Sequence, residues 1–96
     1  MTDVSDADRE RLKELRDEIA RTDDELVRLL ARRLSLAKEI GEIKTRLGIP
    51  VLDPAREAEV VRRAAADARE VGVDPELVRA VLWRIIDHAR ELQGKG

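Results

Sequence analysis

Residues 12–47, LKELRDEIARTDDELVRLLARRLSLAKEIGEIKTRL, decide the fold. Their apolar side chains recur at alternating steps of three and four: Leu12, Leu15, Ile19, Leu26, Leu29, Leu36, Ile40, Ile43 and Leu47. Thr22 and Arg33 fill the two remaining positions of the series. That period winds along one face of an α-helix. Between Ser5 and Leu47 there is no proline and a single glycine, Gly41; Ser5 or Asp6 caps the start, and Gly48 followed by Pro50 stops the helix. About 40 helical residues span ~60 Å at 1.5 Å per residue, against roughly 30 Å for a compact globule of this size. The seam therefore outruns what one copy of the chain can cover, and the sequence predicts a dimer in which a second chain buries the rest.

Two shorter helices carry the same start signal. Asp53-Pro54 and Asp74-Pro75 each put a capping carboxylate before a proline at the first helical position. One helix is expected from about Pro54 to Glu70, with Ala58, Val61, Ala65 and Ala68 on one face, ending near Gly72. The other is expected from about Pro75 to Gln93, with Val78, Val81, Leu82, Ile85, Ile86, Ala89 and Leu92 apolar. Short linkers make successive helices neighbours in space. The expected architecture is all-α, three helices per protomer in an intertwined homodimer. Residues 1–96 read as a single domain, with 1–7 and 94–96 frayed.

Composition narrows the function. The 96 residues include 19 basic and 21 acidic side chains, a balance that speaks against nonspecific nucleic-acid binding, which wants a basic excess. There is no cysteine, so disulfide and thiol chemistry are excluded, and the lone His88 makes no metal cluster. No apolar run approaches the ~20 residues of a membrane span, and residues 1–9 have no signal-peptide core, so a soluble cytoplasmic protein is expected. No nucleophile elbow or glycine-rich phosphate loop is present. Trp83, the only aromatic residue, reads as a core or interface anchor.

Arg33 is the anomaly. A guanidinium on a seam that excludes water is costly unless an anion meets it. Either a carboxylate of the protein pairs with it, or the site holds an anionic ligand. Lys44 lies eleven residues on, which returns it to within about 20° of the same face, ~16 Å along the axis. Arg56 and Glu57 fall in the first turn of the second helix, across a short loop from Lys44, and Gln93 continues the apolar face of the third. Cations, a carboxylate and an amide against aliphatic walls compose a small-anion site. Arg16 flanks the same seam ~25 Å from Arg33, too far for one small ligand within one straight helix, so any role at such a site is in trans. Each of these cations has an ordinary alternative as a partner of surface Asp or Glu, which are plentiful.

Taken in order, the pieces resemble a family. Leu15-Arg16-Asp17-Glu18-Ile19, Thr22-Asp23-Asp24-Glu25-Leu26 and Leu29-Leu30-Ala31-Arg32-Arg33 resemble the first helix of the all-α (AroQ-class) chorismate mutases. Ala37-Lys38-Glu39-Ile40-Gly41-Glu42-Ile43-Lys44, Pro50-Val51-Leu52-Asp53-Pro54-Ala55-Arg56-Glu57, Ile85-Ile86 and Gln93 continue the likeness over residues 10–93. The resemblance implies an intertwined dimer with two equivalent sites that rearrange chorismate to prephenate, an isomerase step of aromatic amino-acid biosynthesis that needs no cofactor or metal. It implies that Arg33 binds one substrate carboxylate and Arg16 of the partner protomer the other. Lys44 would contact a carboxylate and the ether oxygen, and Gln93 would donate to that oxygen from the other side. Glu57 would accept from the ring hydroxyl, helped by the backbone N–H of Asp53, and Arg56 would add positive field. Ala89 departs from the pattern, since many relatives carry Ser there, which removes a hydrogen bond to a carboxylate.

Two other readings stay in view. Isochorismate pyruvate-lyase uses a similar cationic site in the same fold, and a helical dimerisation or regulatory module could keep the fold without activity. The lyase is told apart by its substrate, the module by disrupted site positions. Whether a shikimate-pathway enzyme acts as an activating partner is left open by the sequence.

Overall fold

The computed structural model describes residues 4–94, which form three helices: α1 (Val4–Leu47), α2 (Pro54–Val71) and α3 (Pro75–Gly94). Among the described residues there is no strand. The all-α reading holds, and the element boundaries fall within a residue or two of those expected from caps and prolines. Of the ends expected to fray, residues 1–3 and 95–96 lie outside the described residues; α1 is already helical from Val4. No described helix is long and apolar enough to cross a membrane.

The chain divides into two compact units, Met1–Arg33 and Leu34–Gly96, with the boundary inside α1. In the first unit the described chain is helix only, and its seam is open to water: Leu12 is 46% exposed, Ile19 61% and Leu26 59%. A helix of this pattern gains its stability from covering such a face. Among the described residues nothing does so for these positions.

The second unit holds the end of α1 together with α2 and α3, and it contains the core. Val61, Ala65 and Ala68 of α2 are buried, as are Ile86 and Ala89 of α3. They recur at three- and four-residue steps, so each helix turns one stripe inward. Alanine on the facing stripe leaves little side chain between the helices, which lets them pack closely. Leu77, Val81 and Leu92 of α3 remain exposed, as does Trp83 at 37%, so the indole is no core anchor within one chain. His88 sits on the surface beside Glu91, as its sequence context suggests.

The stops of α1 and α2 use one device. Gly48 at φ 71° and Gly72 at φ 78° take the left-handed conformation that ends a helix. After α2, Gly72 N–H donates to the carbonyl of Arg69 at 3.4 Å and Val73 N–H to that of Ala68 at 2.8 Å. After α1, Gly48 N–H donates to Thr45 at 3.1 Å and Ile49 N–H to Lys44 at 3.0 Å. These paired bonds satisfy carbonyls that would otherwise be orphaned and turn the chain sharply. A Cβ on Gly72 would meet nothing within 4 Å, so its requirement for glycine is conformational and not steric. Gly72→Ala is therefore expected to lower unfolding free energy by about 1 kcal/mol, measured by urea titration, with the helical circular-dichroism signal retained.

Candidate functional site

The turn after α1 builds the first wall of a cavity. With Lys44 three residues inside the helix end, the cap reverses the chain so that Val51 returns alongside it, and the half-buried Lys44 Nζ donates to the Val51 carbonyl at 3.4 Å. Such a long bond holds the ammonium loosely and leaves its other donors available. Two residues later Asp53 caps α2, its Oδ1 accepting from the backbone N–H of Arg56 at 3.2 Å. The first turn of α2 is thereby fixed, and Glu57 points back toward α3.

Val51, Leu52, Glu57, Arg90 and Gln93 together line a cavity of about 350 Å³. That volume is at the lower end of the range for small-molecule sites, and its two aliphatic walls with three polar groups have the composition such sites share.

Arg90 is the member of this group that the sequence reading does not single out. Its Nε donates to Glu57 Oε2 at 2.9 Å and its Nη2 to Glu57 Oε1, while Nη1 donates to Asp87 at 3.2 Å. Both carboxylate oxygens of Glu57 are thus met by one planar fork, the geometry in which Arg and carboxylate bind most strongly. The Glu57 side chain is 16% exposed and that of Arg90 40%. The Arg90 guanidinium holds its proton more tightly than usual: hydrogen bonding to Glu57 outweighs the opposing effect of desolvation, and the charges of Glu57 and Asp87 add to it. One sequence signal points to Arg90: it lies three residues before Gln93, one turn away on the same helix.

Gln93 is held from α1. Its Nε2 donates to the Ala37 carbonyl at 2.6 Å. Beneath it lies Gly41, the one buried residue of α1. A Cβ there would stand 3.0 Å from Gln93 Cγ and 3.2 Å from Nε2. The glycine inside α1 is thus a seat for this side chain. Because the amide nitrogen carries two hydrogens, one bond to Ala37 fixes the rotamer and leaves a second donor.

The other expected site residues are distributed differently. Asp53 is exposed and serves as the cap, and Arg56 is exposed and pairs with Glu59 at 3.4 Å, one turn along α2. Ala89 is buried in the core at 7% exposure, and none of these three lines the cavity. Arg16 and Arg33 belong to the first unit. Arg16 is exposed and Arg33 half-buried, and neither has a hydrogen-bond or ion-pair partner among the described residues. Of the two explanations for a cation on the seam, pairing with a carboxylate of the same chain is not the one the described residues adopt.

Comparison with known proteins bears on the whole chain. A family described as chorismate mutase type II matches residues 15–94. A chorismate mutase of Methanocaldococcus jannaschii is 38% identical over 84 residues, 88% of this chain and 85% of that protein. The T-protein of Enterobacter agglomerans is 43% identical over 75 residues, which are 78% of this chain but only 20% of that longer protein. Among solved structures, a chorismate mutase of Thermus thermophilus superposes with a TM-score of 0.79 at 33% identity, covering 88% of this chain and 94% of that one.

The contact between Gly41 and Gln93 gives a direct test. Gly41→Ala gains about 1 kcal/mol of helix propensity but pushes the amide off its seat. The expected result is a melting temperature equal to or above that of the parent, with the Gln93 side-chain amide signals moved in the NMR spectrum. Unmoved signals would show that the close approach does not position Gln93.

Proposed function

This chain belongs to the chorismate mutase type II family, and from that membership we propose that it rearranges chorismate to prephenate in aromatic amino-acid biosynthesis. The observation that carries the reading is one small cavity lined by Glu57 and Gln93, with Lys44 bonded to its wall at Val51, in a chain matched by the family from residue 15 to residue 94. Four-fifths of the T-protein lies outside the matched region, so the proposal concerns the reaction and not whatever else that longer protein does.

The reaction is an intramolecular Claisen rearrangement. The ether C–O bond breaks while a C–C bond forms, with no proton transfer and no external nucleophile. Catalysis then reduces to two physical tasks. One is to hold a flexible dianion in its chair-like conformer, which is positioning. The other is to meet the negative charge that grows on the ether oxygen as its bond lengthens, which fixed donors in a dry pocket do without reorganising. Lys44 and Gln93 are the donors to that oxygen. Gln93 is suited to the role because the Ala37 carbonyl already holds its amide and one N–H remains. Glu57 accepts from the ring hydroxyl; its carboxylate has lone pairs beyond those taken by Arg90.

Arg33 and Arg16 of the partner protomer bind the two substrate carboxylates, a planar fork being matched to that geometry. Arg56 and Asp53 support the first turn of α2, Arg56 adding positive field and Asp53 its backbone N–H. Buried Ala89 offers no hydroxyl, so one carboxylate contact is absent by comparison with relatives that carry Ser. The partner copy is part of the same proposal. Exposed Leu12, Ile19, Leu26, Leu29 and Ile40 form a stripe that a second α1 covers, giving a cytoplasmic homodimer with two composite sites.

Purified protein added to chorismate should consume its ultraviolet absorbance and form prephenate. Lys44→Ala and Gln93→Ala should each lose about 10²–10³ in kcat, the usual loss for one charge-stabilising donor. Conversion of isochorismate to salicylate instead would reassign the chain to the lyase, and no turnover of either substrate would leave it a noncatalytic helical module. Sedimentation should find a dimer, and Leu26→Glu, a charge in the middle of the stripe, should yield monomers of reduced helicity. A monomeric parent at micromolar concentration would remove the composite site.

A further inference from the structure

Arg90 has no role in the proposed rearrangement, yet it forms one wall of the cavity and occupies both oxygens of Glu57. The ion pair joins α2 to α3 across 33 residues of sequence. Its third donor, Nη1, is held by Asp87 one turn back on α3, so the guanidinium is clamped at both edges. A side chain clamped in this way is not available to swing onto a ligand carboxylate. Its effect falls on Glu57.

That effect is electrostatic as well as geometric. An unpaired carboxylate in a small cavity presents a full negative charge and attracts a cation strongly at low effective dielectric. A carboxylate capped by a guanidinium presents a pair of nearly zero net charge, with a fixed cation just behind it. Such a pair still accepts a hydrogen bond from a neutral hydroxyl, because a carboxylate has about four lone-pair sites and the fork uses two. It rewards an ammonium far less than a bare carboxylate would, because the guanidinium just behind the carboxylate repels the same cation.

We propose that Arg90 is a positioning and specificity residue: by holding both oxygens of Glu57 it aims that carboxylate at a neutral hydroxyl on the substrate ring and bars a substrate that carries a charged amino group there. The inference rests on the proposed function, in which Glu57 accepts from the ring hydroxyl. It adds a selection the reaction itself does not require, since the rearranging atoms are identical in the hydroxyl and amino compounds. Discrimination by leaving a buried charge mispaired is among the stronger forms available to a small site.

The test compares the parent with Arg90→Met and Arg90→Lys at pH 7. It reads KM and kcat for chorismate, and the inhibition constant of the analogue whose ring hydroxyl is replaced by an amino group, 4-amino-4-deoxychorismate. In Arg90→Met the analogue should bind about tenfold or more tightly than to the parent, while kcat/KM for chorismate falls. Arg90→Lys restores a cation without the bidentate fork, so the analogue should again be rejected although kcat stays reduced. A residue that merely braces the fold would weaken both compounds together, and that outcome overturns the proposal, as does an unchanged inhibition constant. Should Arg90→Met fail to fold, Arg90→Gln, which keeps a donor to Glu57 and removes the charge, carries the same expectation. Chorismate with the parent protein is the internal control. Absence of prephenate there overturns the function and this inference with it, whereas prephenate with an unshifted analogue affinity overturns the role of Arg90 alone.

Discussion

The close approach of Gln93 to Gly41 is the constraint on which the geometry of the cavity depends. A polar side chain near the end of α3 lies on the backbone of α1, its amide bonded to Ala37 and its methylene over the one residue that has no Cβ to obstruct it. An interior glycine costs a helix about 1 kcal/mol, and here that cost is offset by access to a backbone carbonyl. Lys44 stands three residues further along α1, within one turn of the same glycine. One short stretch of helix thus seats the amide and supplies the ammonium. The neighbouring Thr45 hydroxyl donates to the Gly41 carbonyl at 2.9 Å, so this part of α1 has its own backbone bracing.

Arg90 and Glu57 supply the complementary restraint between α2 and α3. The interface of those two helices is made mostly of alanine and valine, which gives closeness but little directional preference. Aliphatic packing of this kind tolerates small slips in register. A bidentate ion pair at one end does not, because its two hydrogen bonds require both the axial position and the rotation of each helix to be right. The pair borders the cavity, where an error in register would do most harm.

Most of the architecture is legible in the sequence because its signals are local. A capping Asp before Pro, a glycine at the stop and an apolar step of three or four residues each act within one or two turns, and they locate all three helices. The buried stripe Val61, Ala65 and Ala68 follows from periodicity alone. The site is legible in part. Glu57 and Gln93 line one cavity and Lys44 is bonded to its wall at Val51, but Arg90 escapes notice, because its partner lies 33 residues away and its position at the edge of an apolar stripe resembles that of any solvated arginine. Gly41 reads only as a tolerated interruption, since nothing in its neighbours reveals what will rest upon it. The place of Arg56 in the first turn suggests a position near the ligand, yet that turn faces it outward, to Glu59. Arg33 poses the right question, and its lack of a carboxylate partner among the described residues answers half of it.

Trp83 has a consequence of a different kind. The chain contains no tyrosine and no phenylalanine, so every near-ultraviolet photon it emits as fluorescence originates from one indole. That indole stands on α3, seven residues before Arg90 and ten before Gln93, and is 37% open to solvent. Its emission colour therefore tracks the wetness of a single patch of a single helix, with no second fluorophore to blur it. The protein carries a built-in optical gauge of whatever covers α3, readable at concentrations far below those needed for structural work.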